Sequence, residues 1–143
     1  MTEQLPTAGV VLKEDRLDYT PFPSSVSLAR RRTARLVGEW GYPGVAGDAS
    51  LIVSELAGNA LLHGRVLGRP FRVHLMLTAS VLRIEVSDAC GERRPEPRTP
   101  ADDEQFGRGL LIVDALVARW GANPRTVGET VWAEIDLGRT RSG

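Results

Sequence analysis

The chain has 143 residues, enough for one domain with a two-layer core, and its 18 basic and 18 acidic side chains cancel, so no global field draws it to nucleic acid or an anionic membrane. Lys13 is the only lysine, which excludes a P-loop (G-x-x-x-x-G-K-S/T), and Cys90 is the only cysteine, which excludes an internal disulfide and a multi-cysteine zinc site. Residues 1–6 lack the basic start and apolar core of a signal peptide, and no apolar run nears the ~20 residues of a membrane span, so a cytoplasmic location is expected.

Residues 1–15 read as an N-terminal tail, frayed at least to residue 9, although 10–12 and 17–19 carry enough apolar side chains for a first strand or paired segment. Pro21 and Pro23 stop regular pairing. From Ser24 or Ser25 as N-cap, Val26, Ala29, Thr33, Val37 and Trp40 follow a helical stripe that Gly41 ends. Arg30, Arg31, Arg32 and Arg35 lie off that stripe. They read as a solvated face or a contact for a partner protein in preference to a nucleic-acid patch.

A second helix is expected from about Asp48 to Gly64, with Ile52, Val53, Leu56 and Ala60 as its apolar stripe. Glu55, Asn59 and His63 follow one another at intervals of four, and each such step turns the side chain by only about 40° round the axis. A carboxylate, an amide and an imidazole therefore rise along one edge of the stripe, and polar groups pressed that close to a core need partners. A carboxylate and an amide oxygen on one helical edge suit a hard cation with bound water, Mg2+ above all, which takes few protein ligands and leaves the rest to phosphate. The plainer alternative leaves Glu55 and Asn59 solvated at the rim and packs His63 near the helix end; the helix alone does not decide between them.

Residues 71–77 alternate with period two, placing Phe71, Val73, Leu75 and Leu77 on a buried face, and the short connector 78–80 predicts a hairpin with 81–88. On that second strand Leu82, Ile84 and Val86 point inward, and Asp88 falls on the same side. An aspartate that ends an apolar face is either a turn residue or a functional one. Residues 92–106 hold three prolines and many charges without periodicity, a loop of functional length. It ends in Gly107-Arg108-Gly109, ahead of a helix with the stripe Leu110, Val113, Val117 and Trp120. Glycines opening a helix bring backbone N–H groups and the positive dipole end up to an anion, although a lone G-x-G also serves as a hinge. Residues 121–127 and 130–137 complete the domain as strands, the latter with Val131, Ala133, Ile135 and Leu137 inward, and 138–143 form a C-terminal tail.

Taken in order, these segments resemble the GHKL ATPases, the group of gyrase, histidine kinases and mismatch-repair ATPases. The stretch from Val53 to Gly64, with Glu55, Asn59 and His63, looks like their N box, Val86-Ser87-Asp88 like their adenine-binding box, and Gly107-Arg108-Gly109-Leu110 like the glycine box ending an ATP lid at about 89–108. More narrowly, the chain is similar to the stand-alone anti-sigma serine kinases and the actinobacterial ATP-binding regulatory proteins, which often end in Gly-x-Thr-Val-Trp, here Gly128-Glu129-Thr130-Val131-Trp132. The likeness spans about residues 15–137 within a single domain of 16–137.

The resemblance implies a Bergerat-type α/β (α+β) two-layer sandwich: a mixed, mainly antiparallel sheet of four to five strands against about three helices, with ATP between helices and lid. It implies that Asn59 holds Mg2+, that Glu55 is the general base for a serine hydroxyl, and that Asp88 accepts a hydrogen bond from adenine. Gly91, Gly107, Arg108, Gly109, Leu110 and Thr130 would line the nucleotide; His63 is shared with the family without an assigned chemistry. The implied function is ATP-dependent serine/threonine phosphorylation of an anti-anti-sigma-like antagonist with control of a sigma factor. A nucleotide-binding regulatory module without turnover is the alternative, and homodimerisation stays open. Three departures bear on turnover: Cys90 stands where the pattern D-x-G-x-G has its first glycine, Ala57-Gly58 stands where these kinases often have valine-threonine, and Gln105 falls near where some anti-sigma kinases carry a lid arginine, a place Arg108 could fill.

Overall fold

A computed structural model describes residues 9–67, 70–88, 111–124 and 129–138, with the side chains of 62–67, 88 and 124 outside that description. In chain order its elements are β1 (Lys13–Tyr19), α1 (Pro23–Glu39), α2 (Pro43–Leu67), β2 (Phe71–Leu77), β3 (Val81–Asp88), a short helix α3 over 111–116, β4 (Arg119–Pro124) and β5 (Glu129–Asp136). The five strands form one sheet in the order β1-β2-β3-β5-β4, and every described pairing is antiparallel. The helices cover one face, giving the expected α+β sandwich.

Strand alternation builds the core. Phe71, Val73, Leu75 and Leu77 of β2, Leu82, Ile84 and Val86 of β3, and Val131, Ala133 and Ile135 of β5 stand opposite one another across the ladders and are buried. Against them lie Ala49, Ile52, Val53, Leu56 and Ala57 of α2, while Ala29, Thr33 and Val37 of α1 complete the helix layer. The β2–β3 turn is held by Thr78, whose N–H donates to the Val81 carbonyl at 2.9 Å while its hydroxyl accepts from Val81 N–H at 3.0 Å.

Both long helices start earlier than their apolar stripes suggest. α1 has Phe22 as N-cap, without a side-chain cap bond, and begins at Pro23; α2 begins at Pro43 and continues beyond Gly64 to Leu67. Proline needs no partner for a missing N–H in a first turn and has its φ already set for helix, so it opens helices that a search for Ser or Asp caps starts too late. Gly41 closes α1 as expected, at φ 104°, with Tyr42 N–H on the Val37 carbonyl at 3.0 Å and Gly41 N–H on that of Gly38 at 3.1 Å. This Schellman pair reverses the chain within 40–42 and lays α1 against α2.

Four further boundaries differ from expectation. β1 begins at Lys13, inside the segment read as a tail. α3 ends at residue 116, so Val117 and Trp120 are not on it; Trp120 sits in β4 and its indole N–H reaches back to Asp114 at 2.9 Å. β4 starts at Arg119, two residues before the expected 121, because Ala118 N–H already joins the Glu134 carbonyl at 2.9 Å. The last strand likewise opens at Glu129.

Candidate functional site

α2 packs directly on β3, β2 and β5, and its direction relative to β3 follows from what meets at one end. Gly44, Val45 and Asp48 of its first turns line a groove of about 840 Å3 together with Ser80, just before β3, and Ile135 and Asp136 at the end of β5. From that end α2 advances ~21 Å to Asn59 at ~1.5 Å per residue. β3 advances ~23 Å to Asp88 at ~3.3 Å per residue. The Asn59 turn of α2 and the Asp88 end of β3 therefore lie at the same end of the sandwich, and the groove lies at the other. None of the expected site residues lines it.

Asn59 is 7% exposed, and its Nδ2 has no hydrogen-bond partner among the described residues. A buried amide left unmet costs about 1–3 kcal/mol, so such a group marks a position whose partner is a ligand or water. Glu55, one turn earlier, is half-buried, which leaves its carboxylate access to solvent. Among the described residues no three His, Cys, Asp or Glu side chains gather as a metal cage.

Asp88 is the last residue of β3 and pairs with Phe71; its position has the parity of Val86 and Ile84 on the helix-facing side. Thr130 is paired with Ser87, hence next to that strand end but on the opposite alternation. The residue of β5 that shares the parity of position 88 is Glu129, facing Pro124 in the register with β4. Sequence reasoning passed over Glu129, although counting back from Val131 by two finds it. His63 lies on the backbone of α2 with its side chain outside the described set, and Gly91, Gly107, Arg108, Gly109, Leu110, Cys90 and Gln105 all lie outside the described residues, as does the lid at 89–108.

One helix layer on an antiparallel sheet defines a two-layer α+β domain, and its longest described helix carries a buried amide with an unmet nitrogen at the end of the sandwich where β3 ends. A family model for the histidine kinase-like ATPase domain matches residues 20–135. The chain belongs to that family, within the GHKL superfamily, and is an ATP-binding domain of that type. No curated protein matches it. No helix among the described residues is long and apolar enough to cross a membrane.

Proposed function

We propose that this chain is an ATP- and Mg2+-dependent protein serine/threonine kinase that passes the γ-phosphate of ATP to an antagonist protein and, by binding, controls a sigma-like factor. The observation that carries the reading is Asn59, a buried amide with an unmet nitrogen on the helical edge that also bears the accessible Glu55. An amide presents oxygen or NH2 after a half-turn, so this side chain fits a cation or its bound water as well as a phosphate oxygen. Hard oxygen donors suit Mg2+, which keeps waters and draws its remaining oxygens from phosphate. The magnesium nucleotide supplies the phosphoryl group and neutralises its charge.

The chain's own residues then position and exchange a proton. Asn59 holds the metal; Glu55 accepts the proton of the attacking hydroxyl, directly or through water. Asp88 accepts a hydrogen bond from the adenine amino group, with Gly91 leaving room beside it and Thr130 supporting the strand end. Gly107, Arg108, Gly109 and Leu110 meet the phosphates with backbone N–H groups and one guanidinium. His63, one turn beyond Asn59, completes the nucleotide edge. Phosphoryl transfer asks chiefly for alignment and charge compensation, so this set is sufficient.

A second reading, a nucleotide-binding module that regulates without turnover, is favoured by Gly58. It sits between Glu55 and Asn59, and a Cβ there would meet nothing within 4 Å, so packing does not account for a residue that loosens the helix under the reacting groups. Labelled ATP with a cognate antagonist, and calorimetric titration of ATP, separate the two. The kinase reading expects transfer that disappears in Glu55→Ala. Tight ATP binding without transfer supports the module, and no ATP binding by either wild type or Asn59→Ala removes ATP from both.

A further inference from the structure

The groove at the end of the sandwich away from Asn59 takes no part in the nucleotide chemistry. Its volume of about 840 Å3 lies within the roughly 300–1,000 Å3 of clefts that hold ligands. Val45, Leu116 and Ile135 give it apolar walls, and Asp48 on α2 and Asp136 at the end of β5 give it two carboxylates. Arg119 Nη2 meets Asp136 Oδ1 at 2.8 Å. Asp48 is exposed and forms no ion pair among the described residues. An acidic, part-apolar groove of this kind suits a basic segment whose side chains also carry hydrocarbon, which is the chemistry of arginine: its methylene stem lies on apolar surface while the guanidinium reaches a carboxylate.

The chain supplies such a segment at the groove itself. Gly138 is one of the lining residues, and Leu137 N–H fixes the backbone just before it by donating to the Ser80 carbonyl at 2.8 Å. The residues that follow are Arg139, Thr140, Arg141, Ser142 and Gly143, with two guanidiniums and no acidic side chain. Five residues extend at most ~17 Å from Gly138, so both arginines stay within range of the groove. A short tether holds a group at an effective concentration on the order of millimolar. A basic segment of another protein, at ordinary concentrations, competes poorly with that. We infer that residues 139–143 dock in cis in this groove, their arginines answering the Asp48 side of it and their stems lying on Val45, Leu116 and Ile135. The inference does not rest on the nucleotide reading, because the groove and Asn59 lie at opposite ends of α2.

Backbone 15N relaxation on the full chain tests it without ATP. Order parameters at residues 140–142 are expected near the ~0.85 of rigid backbone, where a flexible segment lies below about 0.6. Asp48→Arg, at an exposed position, sets like charges against each other and is expected to bring them below about 0.6. Reversing the other partner, with Arg139→Glu and Arg141→Glu together, is expected to do the same and to shift the amide signals of Val45 and Leu116 while those around Asn59 stay in place. The dispersed amide spectrum of each variant confirms its fold. Tenfold dilution is expected to change nothing, since the contact is intramolecular. Wild-type values below about 0.6, values indifferent to Asp48→Arg or to the double reversal, groove signals that do not move, or order lost on dilution, which would seat the segment in a second copy, each overturns the inference.

Discussion

Gly121 and Trp132 face each other in register across β4 and β5, and the indole lies so close over the glycine that a Cβ at 121 would come within 2.9 Å of its Cζ2. On its other side the ring carries the Arg83 guanidinium, 4.3 Å from its centroid. An indole cannot yield as a lysine tip does. Gly121→Ala is expected to destabilise the fold by about 2 kcal/mol, in the range for overpacking. Urea unfolding measures this, and an unchanged midpoint would show that the ring has room to shift.

Gly58 is the opposite case. It lies inside α2 with open space around its missing side chain, so Gly58→Ala is expected to stabilise the protein by about 0.5–1 kcal/mol through helix propensity and the unfolded chain's lost freedom. If the looser helix serves turnover, the same variant lowers the rate of transfer while raising the unfolding midpoint.

Glu134 is 0% exposed and takes Arg83 Nη1 on one oxygen and Arg119 Nε on the other, each at 2.9 Å. Glu134→Ala removes one of two carboxylates on Arg83, itself 3% exposed, leaving Glu85 on its Nε at 2.8 Å, and is expected to cost about 2 kcal/mol. Arg119, with its side chain 38% exposed, is screened by water, so Arg119→Ala should cost less than about 1 kcal/mol. Equal losses in the two variants would contradict this ranking.

Tyr19 stacks on Phe71 with ring centroids 5.3 Å apart, and burial, opposed by the nearby Arg32, raises its phenol above the ordinary 10.0. The folded state thus keeps a proton that the unfolded chain loses at 10.0. Below that pH the contribution is fully present; between it and the raised value stability falls as pH rises. Comparing wild type with Tyr19→Phe isolates the component: their difference in unfolding free energy stays flat below the window and shrinks through it.

Asp88→Asn is expected to weaken ATP binding by about 2 kcal/mol, roughly thirtyfold, the scale of one hydrogen bond to a charged group. Glu55→Ala leaves binding near wild type, because a general base acts in the transition state and not in holding the ground state. Calorimetry on both variants checks the division of roles; two wild-type affinities would remove the adenine assignment.

The β2–β3 hairpin was legible because Phe71, Val73, Leu75 and Leu77 and then Leu82, Ile84 and Val86 alternate, with only Met76 and Val81 apolar off the period, and a one-residue slip would turn that apolar face to water. α2 was legible as a helix from Ile52, Val53 and Leu56, and the four-residue interval from Glu55 to Asn59 followed from helical pitch alone. The starts at Pro23 and Pro43 were not, since the first turns they open carry little of the apolar stripe and proline offers no side-chain cap. Nor was the end of α3, where Val113, Val117 and Trp120 keep helical spacing by coincidence while Arg119 and Trp120 join the sheet through β5.

Local pattern determined which residues form strands and helices and which polar side chains sit against the core, because side-chain period and burial are properties of neighbouring positions. Only the tertiary structure decided that α2 runs along β3 so that Asn59 and Asp88 share an end, that Thr130 stands on the alternation opposite to position 88, and that β1 is an edge. Those depend on which strands lie side by side and in what register, and that is a competition among distant segments for the same apolar surface, invisible to any window of contiguous residues.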